Sequence, residues 1–210
     1  PLPDPSDASE SEPPLERAFR LSGIEIVSDN TAGTLDVPGR GRLFVADLRV
    51  PADETPDAPA DDGDQRGAAL FDWAGSLHAD RALGQAEMLD TVQMSHTNTR
   101  DGSRAILESM RLRINFAPGE GDDPEDLFGG LRSAIATENV YLRTETQELT
   151  ADVVEYDPDA GIARALAEGF GTVRILDRQT GSPMTASALI WDLLSDRVDV
   201  VDPSTVVIPR

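Results

Sequence analysis

The groups in this 210-residue chain that could do chemistry are two histidines, eighteen arginines and thirty-nine carboxylates; cysteine and lysine are absent. His78-Ala79-Asp80 could offer metal ligands, but a structural zinc site needs four and no second His cluster accompanies it. Asp61-Asp62-Gly63-Asp64 has the start of a calcium loop without the twelve-residue frame and its closing Glu, so it reads as solvated loop. Nucleophilic catalysis has no Gly-x-Ser-x-Gly elbow to work from, and no glycine-rich loop follows a strand to cradle a phosphate. Paired carboxylates for glycoside hydrolysis are so abundant in type that no particular pair stands out. The expectation is no catalytic residue, no metal, no cofactor and no enzyme. Trp73, Tyr156 and Trp191 fall near the ends of comparable apolar stretches. They could line a sugar-binding surface, but they read as rim residues that keep one polar atom in water.

Charge narrows the partners. A formal charge of −21 repels phosphate backbones, which excludes nucleic acid as the expected ligand, and an anionic membrane surface is disfavoured for the same reason. No apolar run reaches the length of a membrane span. Absence of cysteine suits a reducing or an oxidising compartment. The chain opens on Pro1 without an initiator Met, which points to a removed leader or an N-terminal anchor.

The elements that would position any site are short and alternating. Residues 1–15, rich in Pro, Ser, Asp and Glu, read as a disordered linker ahead of one domain over 16–210. Two acidic, Pro- and Gly-bearing excursions, 51–67 and 117–130, read as loops. Phe19-Arg20-Leu21, Ile24 to Val27, Gly41 to Val45, Thr91 to Met94, Met110 to Phe116 and Asn139 to Leu142 carry the period of two expected of half-buried strands. Pro124 to Ala136, with Asp123 as N-cap, is the one stretch that reads as helix. The fold class is all-β.

One passage occurs twice. Leu149-Thr150-Ala151 through Tyr156-Asp157 is echoed by Met184-Thr185-Ala186 through Trp191-Asp192, at an offset of 35 residues. Each copy leads to a matching strand, Thr172-Val173-Arg174-Ile175 and Thr205-Val206-Val207-Ile208, at an offset of 33. Fainter copies start at Leu70-Phe71-Asp72-Trp73 and Ala105-Ile106-Leu107, with a possible N-terminal one in 18–48. A unit of this size must stack on a neighbour to bury its apolar face.

These residues, together with Gly161-Ile162-Ala163-Arg164-Ala165, Gly171 and Gly84-Gln85-Ala86-Glu87-Met88, resemble the OstA-like (Lpt) family of lipopolysaccharide-transport β-jellyrolls from about Gly67 to Ile208. The resemblance implies a twisted antiparallel β-jellyroll, or β-taco, built from stacked repeat units. It implies acyl chains held in an apolar interior, edge-to-edge strand pairing with other β-jellyroll proteins, and a periplasmic location. The two acidic loops and the strong negative charge depart from the family pattern.

Alternation turns one set of side chains inward: Met88, Val92, Met94, Leu112, Ile114, Phe116, Val140, Leu142, Leu149, Ala151, Val173, Ile175, Met184, Ala186, Val206 and Ile208. They would line a groove for the acyl portion of lipopolysaccharide or a related glycolipid, in an outer-membrane lipid transport bridge. The alternative is that the same residues pack on one another in a closed core, making a structural module that docks by its edges and binds no lipid. Small Ala151, Ala186 and Ala188 leave room for a groove.

Overall fold

The computed structural model describes residues 17–47, 67–98, 102–116, 131–157, 160–169, 171–193 and 195–201. Among these, fifteen strands join in a single antiparallel sheet that does not close. Its organisation is a meander of bent strands. β1 (Arg17–Gly23) turns a corner into β2 (Val27–Asp29), β3 (Thr34–Pro38) into β4 (Gly41–Asp47), and β5 (Gly67–Trp73) into β6 (Ser76–Asp80). The next four strands, β7 (Gln85–Asn98), β8 (Arg104–Phe116), β9 (Leu131–Arg143) and β10 (Gln147–Asp157), pass the corner unbroken. Then β11 (Ile162–Leu166) turns into β12 (Val173–Asp177) and β13 (Pro183–Ala186) into β14 (Ala188–Asp192), and β15 (Arg197–Val201) comes last.

Each bent strand is one rung, paired to the next on both sides of the corner. On one side, arm I, the order is β1-β4-β5, the near halves of β7 to β10, β12 and β13. On the other, arm II, it is β2-β3-β6, the remaining halves of β7 to β10, β11, β14 and β15. An antiparallel sheet with one apolar face can bury that face by doubling over on itself. Residues of both arms accordingly belong to one buried cluster.

The corner is built differently by direction of travel. Rungs running from arm II to arm I use left-handed backbone there: Gly39 (φ 88), Asp90 and Thr91 (φ 61 and 49), Glu138 and Asn139 (φ 66 and 59), and Gly169 (φ 62). The described rungs running the other way have no positive φ at their corners. Asp and Asn tolerate this region better than other side chains because a short polar group can bond locally. The extra residues shift the register at Leu89/Val92 and at Ala151/Val153, as β-bulges do when they bend a strand.

Apart from Thr144–Thr146 between β9 and β10, the described rung tips share one turn. Asp29–Gly33, Asp80–Gly84, Asn98–Gly102, Asp157–Gly161 and Asp177–Gly181 each place an Asp or Asn four residues before a glycine of positive φ. In Asp192–Asp196, Asp196 (φ 54) takes the glycine's place. The leading carboxylate accepts backbone N–H groups two or three residues on: Thr31 and Ala32 at Asp29 (2.8 and 3.0 Å), Leu83 at Asp80 (3.0 Å), Ala160 at Asp157 (3.1 Å), Ser195 at Asp192 (3.0 Å). These are Asx turns, in which the side chain satisfies donors that the hairpin leaves over.

Three expectations change. Residues 131–136 of the expected helix form the start of β9, paired to β8, while 124–130 lie outside the described residues. Ile24 to Ile26 is a corner, and the strand begins at Val27. The stretches 1–15, 51–66 and 117–130 lie outside the described residues; Gly67 opens β5.

Candidate functional site: the inward rows between two arms

Registration across the rungs lines up side chains into rows. In arm I one row reads Leu21, Leu43, Phe71, Met94, Leu107, Leu142, Leu149, Ile175, Met184. In arm II a first row reads Val37, Leu77, Met88, Leu112, Ala136, Val154, Ala165, Leu189, Val200. A second reads Leu35, Ala79, Ala86, Ile114, Ala134, Tyr156, Ala163, Trp191, Val198. Tyr156 and Trp191 are the members with a side-chain oxygen or nitrogen. The three rows run unbroken for nine rungs.

The duplicated passage is explained by these rows. Leu149 and Met184 fall in one row, Tyr156 and Trp191 in another, and both passages cross the corner from arm I to arm II. The fainter copies obey the same rule, since Phe71 and Leu107 share the row of Leu149. The repeating unit is therefore a pair of rungs, out along one and back along the next.

Of the sixteen residues expected to face inward, Met88, Val92, Leu112, Ile114, Val140, Leu142, Leu149, Ala151, Val173 and Ile175 are buried. Met94, Phe116 and Ala186 are half-buried and pack against the same cluster. Met184, on the last described strand of arm I, is 41% exposed. Val206 and Ile208 lie outside the described residues. In the middle of the stack the rows are closed off from solvent: Met88 and Leu149 have no accessible surface and Leu112 has 1%. A pocket of about 380 Å³ lies instead on the outer side of the corner, lined among others by Gly39, Gly75, Asp90, Met110, Arg111 and Glu138. None of the row residues contributes to it.

The tryptophans are corrected. Trp73 and Trp191 are core residues, 3% and 1% exposed, and each indole N–H is used inside the protein. Trp73 Nε1 donates to the Gly39 carbonyl at 3.0 Å, and Trp191 Nε1 to Asp196 Oδ1 at 3.1 Å. A buried indole keeps its large apolar body inside only when its N–H finds such a partner. Neither ring offers a face for sugar stacking.

Charged groups sit on the outer face. His78 Nδ1 is 2.7 Å from Asp36 Oδ1 and lies opposite Glu87 in register; Glu87 in turn accepts from Arg113 at 3.0 Å. On arm I, Arg42 donates to Asp72 at 2.8 Å, which raises its guanidinium above the ordinary value, and Arg178 meets Glu148 at 3.1 Å. Such exposed pairs are screened by water and fix outer register more than they stabilise. Among the described residues no group of three or more His, Asp or Glu is arranged to hold a metal.

Sequence reasoning missed the alanines of arm II, Ala79, Ala86, Ala134, Ala136, Ala163 and Ala165, which make up much of the inner face there. Their signal was alternation with charged or bulky neighbours, as in Ile162-Ala163-Arg164-Ala165-Leu166.

No family model matches the chain, and no curated protein does. Among solved structures it is similar to LptH of Pseudomonas aeruginosa, described as the LptA-homologous periplasmic component of the conserved lipopolysaccharide transport device, with 11% identity over 89% of this chain and 96% of that chain, at a TM-score of 0.47.

Proposed function

We propose that the chain is a non-catalytic periplasmic protein of the cell envelope that takes the acyl portion of lipopolysaccharide or a related glycolipid between its two arms and passes it along the stack. One observation carries this reading: the inward rows are apolar over nine rungs and stay exposed at the far end, where Met184 is 41% and Val200 57% accessible. An acyl chain laid along such rows gains about 0.8 kcal/mol for each methylene removed from water. The sequence resemblance to the OstA-like family supports the same ligand class and edge-to-edge assembly with other β-jellyrolls. Closure of the central rows means that entry has to part the arms, exchanging side-chain contacts for contacts with lipid.

That closure also favours a second reading, a packed structural module that binds no lipid. The two separate in one experiment. Full-length protein recovered from native envelope membranes and sprayed under native conditions in a mass spectrometer is expected to carry a glycolipid mass released on activation. Repeated recovery of a folded, lipid-free chain would leave the structural module in place.

A further inference from the structure

The four described rungs that run from arm II to arm I bend at one position, but not with one kind of residue. In chain order that position holds Gly39, Asp90-Thr91, Glu138-Asn139 and Gly169, all at positive φ. Glycine stands in the outer two of these rungs, and pairs of residues with side chains in the inner two. Strand continuity follows the same division. β7 and β9 are single strands through the bend, whereas β3 ends at Pro38 before β4 begins at Gly41, and β11 ends at Leu166 before β12 begins at Val173. Crowding does not explain the glycines, since a Cβ at Gly39 or Gly169 would meet no heavy atom within 4 Å.

The two kinds of corner differ in stiffness. For a residue with a side chain the left-handed region is a small well walled in by steric clashes, so Asp90-Thr91 and Glu138-Asn139 each hold two successive φ angles. Glycine lacks those walls and can turn from positive to negative φ. At Gly39 the Trp73 indole fixes the carbonyl at 3.0 Å, which leaves φ as the free angle. Burial runs in parallel. Met88 and Leu149 have no accessible surface in the middle, while Phe19 and Val27 at one end are 45% and 47% exposed and Met184 and Val200 at the other 41% and 57%. We infer that the corner is a graded hinge: Gly39 and Gly169 let the arms splay at the ends of the stack, and the left-handed pairs of β7 and β9 lock them in the middle. Neighbouring rungs stay hydrogen-bonded as this happens, because a sheet takes up the change as twist between adjacent strands. That cargo enters at an end, ahead of the central rows, rests on the proposed lipid reading; the hinge itself does not.

Absence of cysteine from the chain lets paired nitroxide labels report the angle between the arms. Thr185→Cys with Asp199→Cys spans the arms at the C-terminal end, and Glu108→Cys with Glu155→Cys spans them in the middle. All four residues are exposed, and the two pairs occupy the same two outer rows. Distance distributions are measured by electron double resonance on the lipid-free full chain. The end pair is expected to be about twofold wider than the middle pair. Gly169→Asn keeps a left-handed residue but restores its walls, and should narrow the end pair towards the middle width. Asp90→Gly, Thr91→Gly, Glu138→Gly and Asn139→Gly together should widen the middle pair about twofold. Equal widths at end and middle would overturn the proposal. So would an end pair that stays wide in Gly169→Asn, which would mark simple fraying, or a middle pair that the four glycines leave unmoved. The two sets of substitutions act in opposite directions on different rungs, so if circular dichroism shows one unfolded, the other still decides. A hinge found in a protein that never carries glycolipid from native membranes would sink the lipid reading alone.

Discussion

The two arms bury the same number of rungs with different side chains. The arm I row is made of leucine, isoleucine, methionine and phenylalanine, with Leu43, Leu107, Leu142, Leu149 and Ile175 all buried. The second row of arm II carries four alanines, Ala79, Ala86, Ala134 and Ala163, among larger residues that include Ile114, Tyr156 and Trp191. A doubled-over sheet has a fixed gap to fill, near 10 Å for packed sheets, and large residues on one face need small ones opposite. The arm I row thus supplies volume at every rung, whereas arm II sets a row of large residues, among them Leu77, Met88, Leu112 and Leu189, beside one in which alanines leave room. If lipid is admitted, the alanine face is where space appears at least cost when the arms part.

The largest effects should come from removing volume on arm I. Leu149 has no exposure in the middle of the stack, and Leu149→Ala is expected to cost about 2–5 kcal/mol, read as a lowered urea midpoint at unchanged slope. A loss below about 1 kcal/mol would mean that the arms are not in contact at that rung in solution, and the open-groove reading would gain accordingly.

Adding volume on arm II should cost less. Ala163, 1% exposed between Tyr156 and Trp191 in its row, is predicted to lose about 1–3 kcal/mol on replacement by Phe. The contrast with Ala186→Phe sharpens the comparison, because Ala186 is half-buried on the end strand β13 and has room to adjust. Similar losses at both positions would erase the distinction between a tight centre and a loose end.

The corner gives a smaller and more local effect. Asn139 sits at φ 59 in β9, where a β-branched side chain is strained. Asn139→Val should destabilise by about 1–2 kcal/mol, and Asn139→Gly should leave the thermal midpoint unchanged or raise it slightly. Equal behaviour of the two variants would show that the left-handed bend is not what turns β9.

Much of this architecture was legible in the sequence, for a physical reason. Leu112, Ile114 and Phe116 alternate with Arg113 and Asn115, and such a pattern has one solution in a sheet with one buried face. The repeat also gave the right equivalences, because 35 residues is the length of two rungs with their tips and corners. Ser133-Ala134-Ile135-Ala136 misled for the opposite reason. Alanine has the highest helix propensity, and only pairing with β8 makes it an inner-face residue. The tryptophans misled because an indole reads as amphipathic until a buried acceptor is known, and the Gly39 carbonyl is 34 positions from Trp73. The Asp-x-x-x-Gly spacing at the tips was visible throughout: Asp29 with Gly33 and Asp177 with Gly181 show the same turn in the two halves of the chain.

The tips also differ from the rows in what holds them, and acid should separate the two. The Asp177 carboxylate accepts the Thr180 and Gln179 amides at 2.9 and 2.8 Å, and these bonds hold it below the ordinary carboxylate range. A carboxylate whose value is depressed on folding adds stability above its unfolded value, near 3.9, and loses that contribution as pH falls through the folded value. Asp177→Asn keeps an acceptor oxygen but removes the titration. The expected result is a thermal-midpoint difference between wild type and Asp177→Asn that is constant from pH 7 to about 5 and shrinks steadily below about 4. Leu149→Ala should show a deficit with no such closing at low pH, since a cavity between the arms does not titrate. If the Asp177 difference were flat down to pH 2, the turn would owe its stability to its glycine and not to the carboxylate.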